Sequence, residues 1–191
     1  QAAAWLPMPP KKPDMALNTL YLKSPTKSWV DFSRHAEDEF GWMPKLWVGQ
    51  KYDQKIFKDY GLNPPYYTHD DAMIAKPPMF PADYKLQAID AQILDDLSWH
   101  QPIMQEMCNR WFINPDRASS KTRMMYYNQL VENWLNIFKC YEIDLVICPA
   151  VPHRVYDYVA YMVASYLKVP FLMINATAAL RVVDDELVFW H

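Results

Sequence analysis

The sequence predicts an α/β fold: a parallel sheet with helices on both faces and a helical insertion in its middle. Three observations carry that expectation. The opening half alternates apolar extended runs with helical patterns. The closing part holds a strand–helix–strand unit between Asp144 and Asn175. Finally, 51% of the 191 residues are apolar, enough to bury a sizeable core and to exclude a wholly disordered chain.

The elements follow in order. Residues 1–15 are proline-rich without helical period and read as an irregular N-terminal arm. Residues 16–191 read as one α/β domain. Ala16–Lys23 is a first strand, and Ser24–Ser28 supplies turn and cap residues. Trp29, Phe32, Ala36 and Phe40 recur at helical spacing. Pro44–Gly49 is a second strand, Tyr52–Tyr60 a second helix ended by Gly61, and Tyr66–Thr68 a short third strand. A proline-punctuated loop, Lys76–Pro81, opens the insertion. Leu86, Ile89, Ile93 and Leu97 fall on one helical face, Ser98–Pro102 breaks that helix, and Ile103–Phe112 forms another. After a turn at Asn114–Asp116, Ser119 or Ser120 caps a long helix carrying Tyr127, Leu130, Val131, Trp134, Phe138 and Tyr141.

The last third reads most clearly. Asp144–Pro149 is a nearly continuous apolar run, as a strand buried on both faces requires. Val155, Tyr158, Val159, Met162, Val163 and Tyr166 make an amphipathic helix, and Phe171–Asn175 is the next buried strand. Leu180–Val183 and Leu187–Trp190 then form a hairpin, with Asp184-Asp185-Glu186 at its tip rather than in a catalytic acid cluster.

Composition excludes several functions. The balance of 19 basic and 22 acidic residues, net −3, lacks the basic footprint of a nucleic-acid partner. Only Gly41, Gly49 and Gly61 are present, so neither a Walker loop nor a G-x-G-x-x-G turn can be built. Cys108, Cys140 and Cys148 have no C-x-x-C spacing and suit reduced thiols in a cytoplasmic protein, with no disulfide. The longest strongly apolar stretch, Tyr158–Leu167, is well short of the roughly 20 residues that span a bilayer. The first residues lack the pattern of a signal peptide.

Two clusters could carry chemistry. Val151-Pro152-His153-Arg154, followed by Asp157, leaves a buried strand and enters a helix. Loops at strand carboxyl ends bind ligands in open α/β sheets, and backbone N–H groups at a helix start favour anions. The same residues also suit a plain helix start, with Pro152 opening it, His153 capping and Asp157 favoured by the dipole. Lys27 and Ser28, after the first strand, emerge on the same edge, and Lys23, Lys27 and Arg154 would make it locally basic. His69-Asp70-Asp71 offers metal-ligating atoms, but no partner ligand lies at helical spacing, so a solvated loop and no metal are expected. Arg34-His35 with Glu37, Asp38 and Glu39 reads as the polar face of a helix. No residue is assigned a catalytic role.

The segment Tyr126–Leu135, followed by Ile143-Asp144-Leu145-Val146-Ile147-Cys148-Pro149-Ala150-Val151-Pro152-His153, resembles capsular-polysaccharide biosynthesis proteins. In those proteins a YYxxLxxxWL helix precedes a DLVIxPxxPH strand. Tyr156-Asp157-Tyr158-Val159, Phe171–Asn175 and Lys45–Gly49 fit the same pattern, so the resemblance runs from about Ala16 to Glu186. It implies a Rossmann-like domain, the N-terminal half of a two-domain GT-B-like glycosyltransferase. A second domain would then hold most of the nucleotide sugar, the donor substrate, and this domain would contact a saccharide acceptor or the sugar nucleotide. His153, Arg154, Lys27, Ser28 and Asp157 would be the substrate-binding residues, with no cofactor held by this domain alone. The alternative is a stand-alone, non-catalytic α/β binding or assembly module.

Overall fold

The computed structural model describes residues 16–23, 26–111, 118–174, 180–183 and 186–189. The arm at 1–15, Ser24 and Pro25, the turn at Asn114–Asp116, and Asp184, Asp185 and Trp190 lie outside them.

Five strands form one parallel sheet: β1 (Leu17–Leu22), β2 (Trp42–Gly49), β3 (Tyr66–Thr68), β4 (Leu145–Cys148) and β5 (Phe171–Met173). Their order is β3-β2-β1-β4-β5, that of a Rossmann-like fold. Helix α1 (Lys27–Phe40) links β1 to β2, α2 (Gln54–Asp59) links β2 to β3, and α7 (Val155–Tyr166) links β4 to β5. Between β3 and β4 lies the insertion: α3 (His69–Met73), α4 (Ala91–Asp96), α5 (Gln101–Trp111) and α6 (Ser120–Cys140). A separate antiparallel hairpin, β6 (Leu180–Val183) and β7 (Glu186–Phe189), follows.

Period-2 alternation sorts the strand side chains onto two faces. Leu20, Leu22, Leu46, Val48, Val146 and Cys148 pack with α5, α6 and α7. Tyr21, Trp47, Leu145 and Ile147 face the other way, onto Val30 of α1 and Phe57 of α2. Tyr21 stacks on Trp47 with ring centroids 4.3 Å apart, a cross-strand pair that ties β1 to β2. β4 is buried along its whole length, as its unbroken apolar run requires.

Helix ends follow the capping residues in the sequence. The hydroxyl of Thr26 accepts from Trp29 N at the start of α1, and Gly41 closes that helix at φ 69°, a left-handed conformation that glycine adopts without strain. Ser119, rather than Ser120, caps α6 by accepting from Thr122 N.

Four local expectations are corrected. The helix read from Leu86 to Leu97 begins only at Ala91, because Asp90 caps it and Gln87 is pinned in non-helical backbone by Asn136. The break read at Ser98–Pro102 is a single 3-10 turn, Ser98–His100, and α5 already starts at Gln101. Pro102 sits in the first turn of α5, where its missing N–H costs nothing. His69-Asp70-Asp71 is not a loop: the Thr68 hydroxyl accepts from Asp71 N and turns the segment into α3. Lastly, β5 is not buried, since Leu172 is 40% and Met173 37% exposed on a strand paired on one side only among the described residues.

β2 also begins earlier than its proline suggests, at Trp42. Pro44 is tolerated because β3 pairs β2 only from Trp47 onward, leaving that flank of Pro44 without a ladder partner.

Candidate functional site

In this strand order the chain leaves β1 toward β2 on one side, while β4 continues to β5 on the other. The crevice between β1 and β4 is thus the switch point at which open α/β sheets bind ligands. A cavity of about 230 Å³ lies there, lined by the residues that follow four strands and open α7. Lys23 follows β1, Gly49 and Gln50 end β2, His69 follows β3, and Pro149 and Ala150 follow β4. His153, Arg154 and Tyr156 come from the start of α7.

Lys23, which lines this cavity, is ion-paired to Asp157. Asp157 lies three residues into α7 and is fully buried, and its carboxylate accepts from Arg154 N at 2.7 Å and His153 N at 3.3 Å. The third donor is the ammonium of Lys23. Lys23 has φ 70°, so the chain turns sharply at the end of β1. A non-glycine residue there costs on the order of 1 kcal/mol. Asp157 is accordingly the residue that sets the loop, and it is not among those lining the cavity.

His153 is exposed, with Nδ1 3.0 Å from the Val151 carbonyl and 3.2 Å from Lys23 Nζ. These contacts demand opposite roles. A protonated Nδ1 donates to Val151, whereas a bare Nδ1 accepts from Lys23. Either tautomer leaves Nε2 for a ligand, as an acceptor in the first case and a donor in the second.

His69, half-buried, approaches the fully buried Tyr156 hydroxyl with Nδ1 at 2.9 Å. The phenol has no other hydrogen bond among the described residues, and its role here follows the tautomer: it donates to a bare Nδ1 or accepts from a protonated one. Burial, and then the positive charge of Arg154, hold the His69 imidazole below its ordinary value of 6.5, so it is neutral at pH 7. Arg154 itself is exposed and makes no ion pair among the described residues. The cavity is therefore lined by one guanidinium, two imidazoles, the paired Lys23 ammonium and strand-end backbone, a set that suits a hydroxyl-rich ligand bearing an anion.

Of the residues expected from sequence, His153 and Arg154 line this cavity. Lys27 and Ser28 are exposed at the first turn of α1 and are not among the lining residues. Sequence reasoning missed His69, Gln50 and Tyr156 as walls. The signal for His69 was its place directly after a strand, outweighed by its resemblance to a solvated loop.

Elsewhere, a larger cavity of about 390 Å³ lies among Ile93, Leu135, Phe138, Ile143 and Leu167, away from the strand carboxyl ends. Among the described residues no group of three or more His, Cys, Asp or Glu is placed to hold a metal ion. No helix among them is long and apolar enough to cross a membrane. No protein-family model matches the chain, and no curated protein or solved structure matches it either.

Proposed function

We propose that this chain is the acceptor-side, Rossmann-like domain of a glycosyltransferase that builds capsular or surface polysaccharide in the cytoplasm, with a second domain holding the nucleotide sugar. The observation that carries the reading is the cavity at the β1/β4 switch point, lined by Arg154, His69 and His153. Guanidinium and imidazole groups at one edge suit an acidic sugar: the former takes the anion, the latter take hydroxyls. The segment Asp144–His153, which resembles capsular-polysaccharide biosynthesis proteins, supports it further, since it forms β4 and the loop lining this cavity.

Titration of the wild type and His153→Ala with glucose 1-phosphate and with galacturonic acid, beside thermal melts, tests the reading. Loss of one ligand hydrogen bond should weaken binding roughly 5- to 10-fold, with the melting temperature nearly unchanged. The N-cap of α7 is Arg154 rather than His153, so unchanged affinity of His153→Ala would leave that imidazole without a part in binding and remove the reading.

A further inference from the structure

A second cavity of about 220 Å³ adjoins the first across His153 and Arg154, which line both. Its other walls are Met73, Met107, Val155 and Arg110. The first three are buried and form an apolar floor, whereas Arg110 is exposed in the last turn of α5. Among the described residues no carboxylate lines either cavity. The Lys23 charge is already cancelled by Asp157, and neither Arg110 nor Arg154 makes an ion pair among the described residues. Two guanidinium groups without an ion-pair partner among the described residues thus border one small cavity on a protein whose net charge is −3.

We propose that the site takes a saccharide with two anionic groups, one in each cavity, and that Arg110 is the binding residue for the second. This rests on the reading of the first cavity as a saccharide site and adds its charge class. Arg154, common to both cavities, fixes the spacing: an anion on either side of it is met by Arg154 and one further group, Arg110 on one side and His69 or His153 on the other. Guanidinium forks match carboxylate and phosphate alike, so either can supply the anions. The methionine and valine floor accepts the apolar face of a sugar ring, whose hydroxyls then stay at the polar rim. Arg110 also lies favourably at a helix C-terminus, a role that needs no ligand and leaves binding untouched when removed.

The test pairs each anion with its doubled form: galacturonic acid with digalacturonic acid, and glucose 1-phosphate with glucose 1,6-bisphosphate, with maltose as the neutral probe. Binding to the wild type, Arg110→Gln and Arg110→Lys is measured by calorimetry, with melts of each variant. The doubled ligand of at least one pair should bind the wild type on the order of tenfold tighter than its single form. Arg110→Gln should abolish that advantage, leave the single form unchanged and keep the melting temperature; Arg110→Lys should retain part of it. The pair that responds distinguishes carboxylate from phosphate. Equal binding of single and doubled forms, maltose binding as tightly as either, or equal weakening of both by Arg110→Gln would overturn the proposal. Single anions that bind through His153 without any advantage for the doubled forms would leave the first reading standing alone. If no anion binds the wild type, both fall.

Discussion

The ammonium of Lys23 rests on the carboxylate of Asp157, and Asp157 has no exposed surface. One carboxylate thereby joins the carboxyl end of β1 to the amino end of α7, because it also holds the backbone N–H groups of His153 and Arg154. The start of α7 adds a favourable dipole for that charge. Asp157→Asn removes the charge and leaves the Lys23 ammonium, only 11% exposed, without its partner. The expected cost is about 3 kcal/mol, as for other buried pairs broken on one side. At this chain length that lowers the melting temperature by roughly 6–12 °C. A thermal melt of Asp157→Asn within 2 °C of the wild type would show that the pair contributes little.

Stability should fall as the solution is acidified below the ordinary imidazole value of 6.5. Burial holds both His69 and His100 below that value in the folded chain, His69 with help from Arg154. Below pH 6.5 the unfolded chain therefore binds protons that the folded chain does not, and protonation favours unfolding. The contribution is fully present above pH 6.5 and is lost progressively as the pH falls toward the depressed folded-state values. Melts from pH 7.5 to 5 should show this slope, and His69→Gln should flatten part of it. A wild-type melting temperature constant over that range would refute the assignment.

Much of this architecture was legible in the sequence because its last βαβ unit is written twice, once as apolar runs and once as helical period. The run Leu145–Cys148 can only be a strand buried on both faces, and it is. The run Phe171–Met173 looks the same but lies at a sheet edge, since an apolar run does not say whether anything covers it. Strand order was likewise unreadable, and it is the order that brings His69, after β3, to the same cavity as His153, after β4. Arg110 was hidden for a related reason: α5 belongs to the insertion, whose docking on α7 no local pattern records.

The three thiols should differ in reactivity. Cys108 is buried, and burial raises it to about 11, so almost no thiolate is present at pH 8. Cys148 is buried too, raised by burial, and donates to the Ala150 carbonyl at 3.0 Å. Cys140 is half-buried at the end of α6. An Ellman titration of the native protein should release about one equivalent slowly, from Cys140, and the remainder only in denaturant. Rapid native labelling of Cys108, located by peptide mapping, would contradict the packing of α5 against α6 and α7.

Within the insertion, the Asn136 amide of α6 holds the segment around Gln87. Asn136 Oδ1 accepts from Gln87 N at 2.8 Å and from the Tyr84 hydroxyl at 3.1 Å, and Nδ2 donates to the Gln87 and Glu132 carbonyls, each at 2.9 Å. Both polar ends of a 2% exposed side chain are used, and the backbone of Gln87 has its donor and acceptor satisfied by the same residue. Asn136→Leu forfeits those bonds and leaves the part-buried Gln87 N–H and C=O without that partner, an expected cost of roughly 1–2 kcal/mol. Hydrogen exchange should show the Gln87 amide losing protection while the β4 amides keep theirs. Asn136→Asp gives a sharper check. It keeps the acceptor but turns the Nδ2 donor into a second carboxylate oxygen facing two carbonyls, so the ionised form is disfavoured and its pKa is raised on folding. A raised acid is most stable when protonated, so the deficit of Asn136→Asp against the wild type should be largest at pH 7.5 and shrink as the pH falls. A deficit independent of pH would mean that the Gln87 segment moves away and lets water reach the carboxylate.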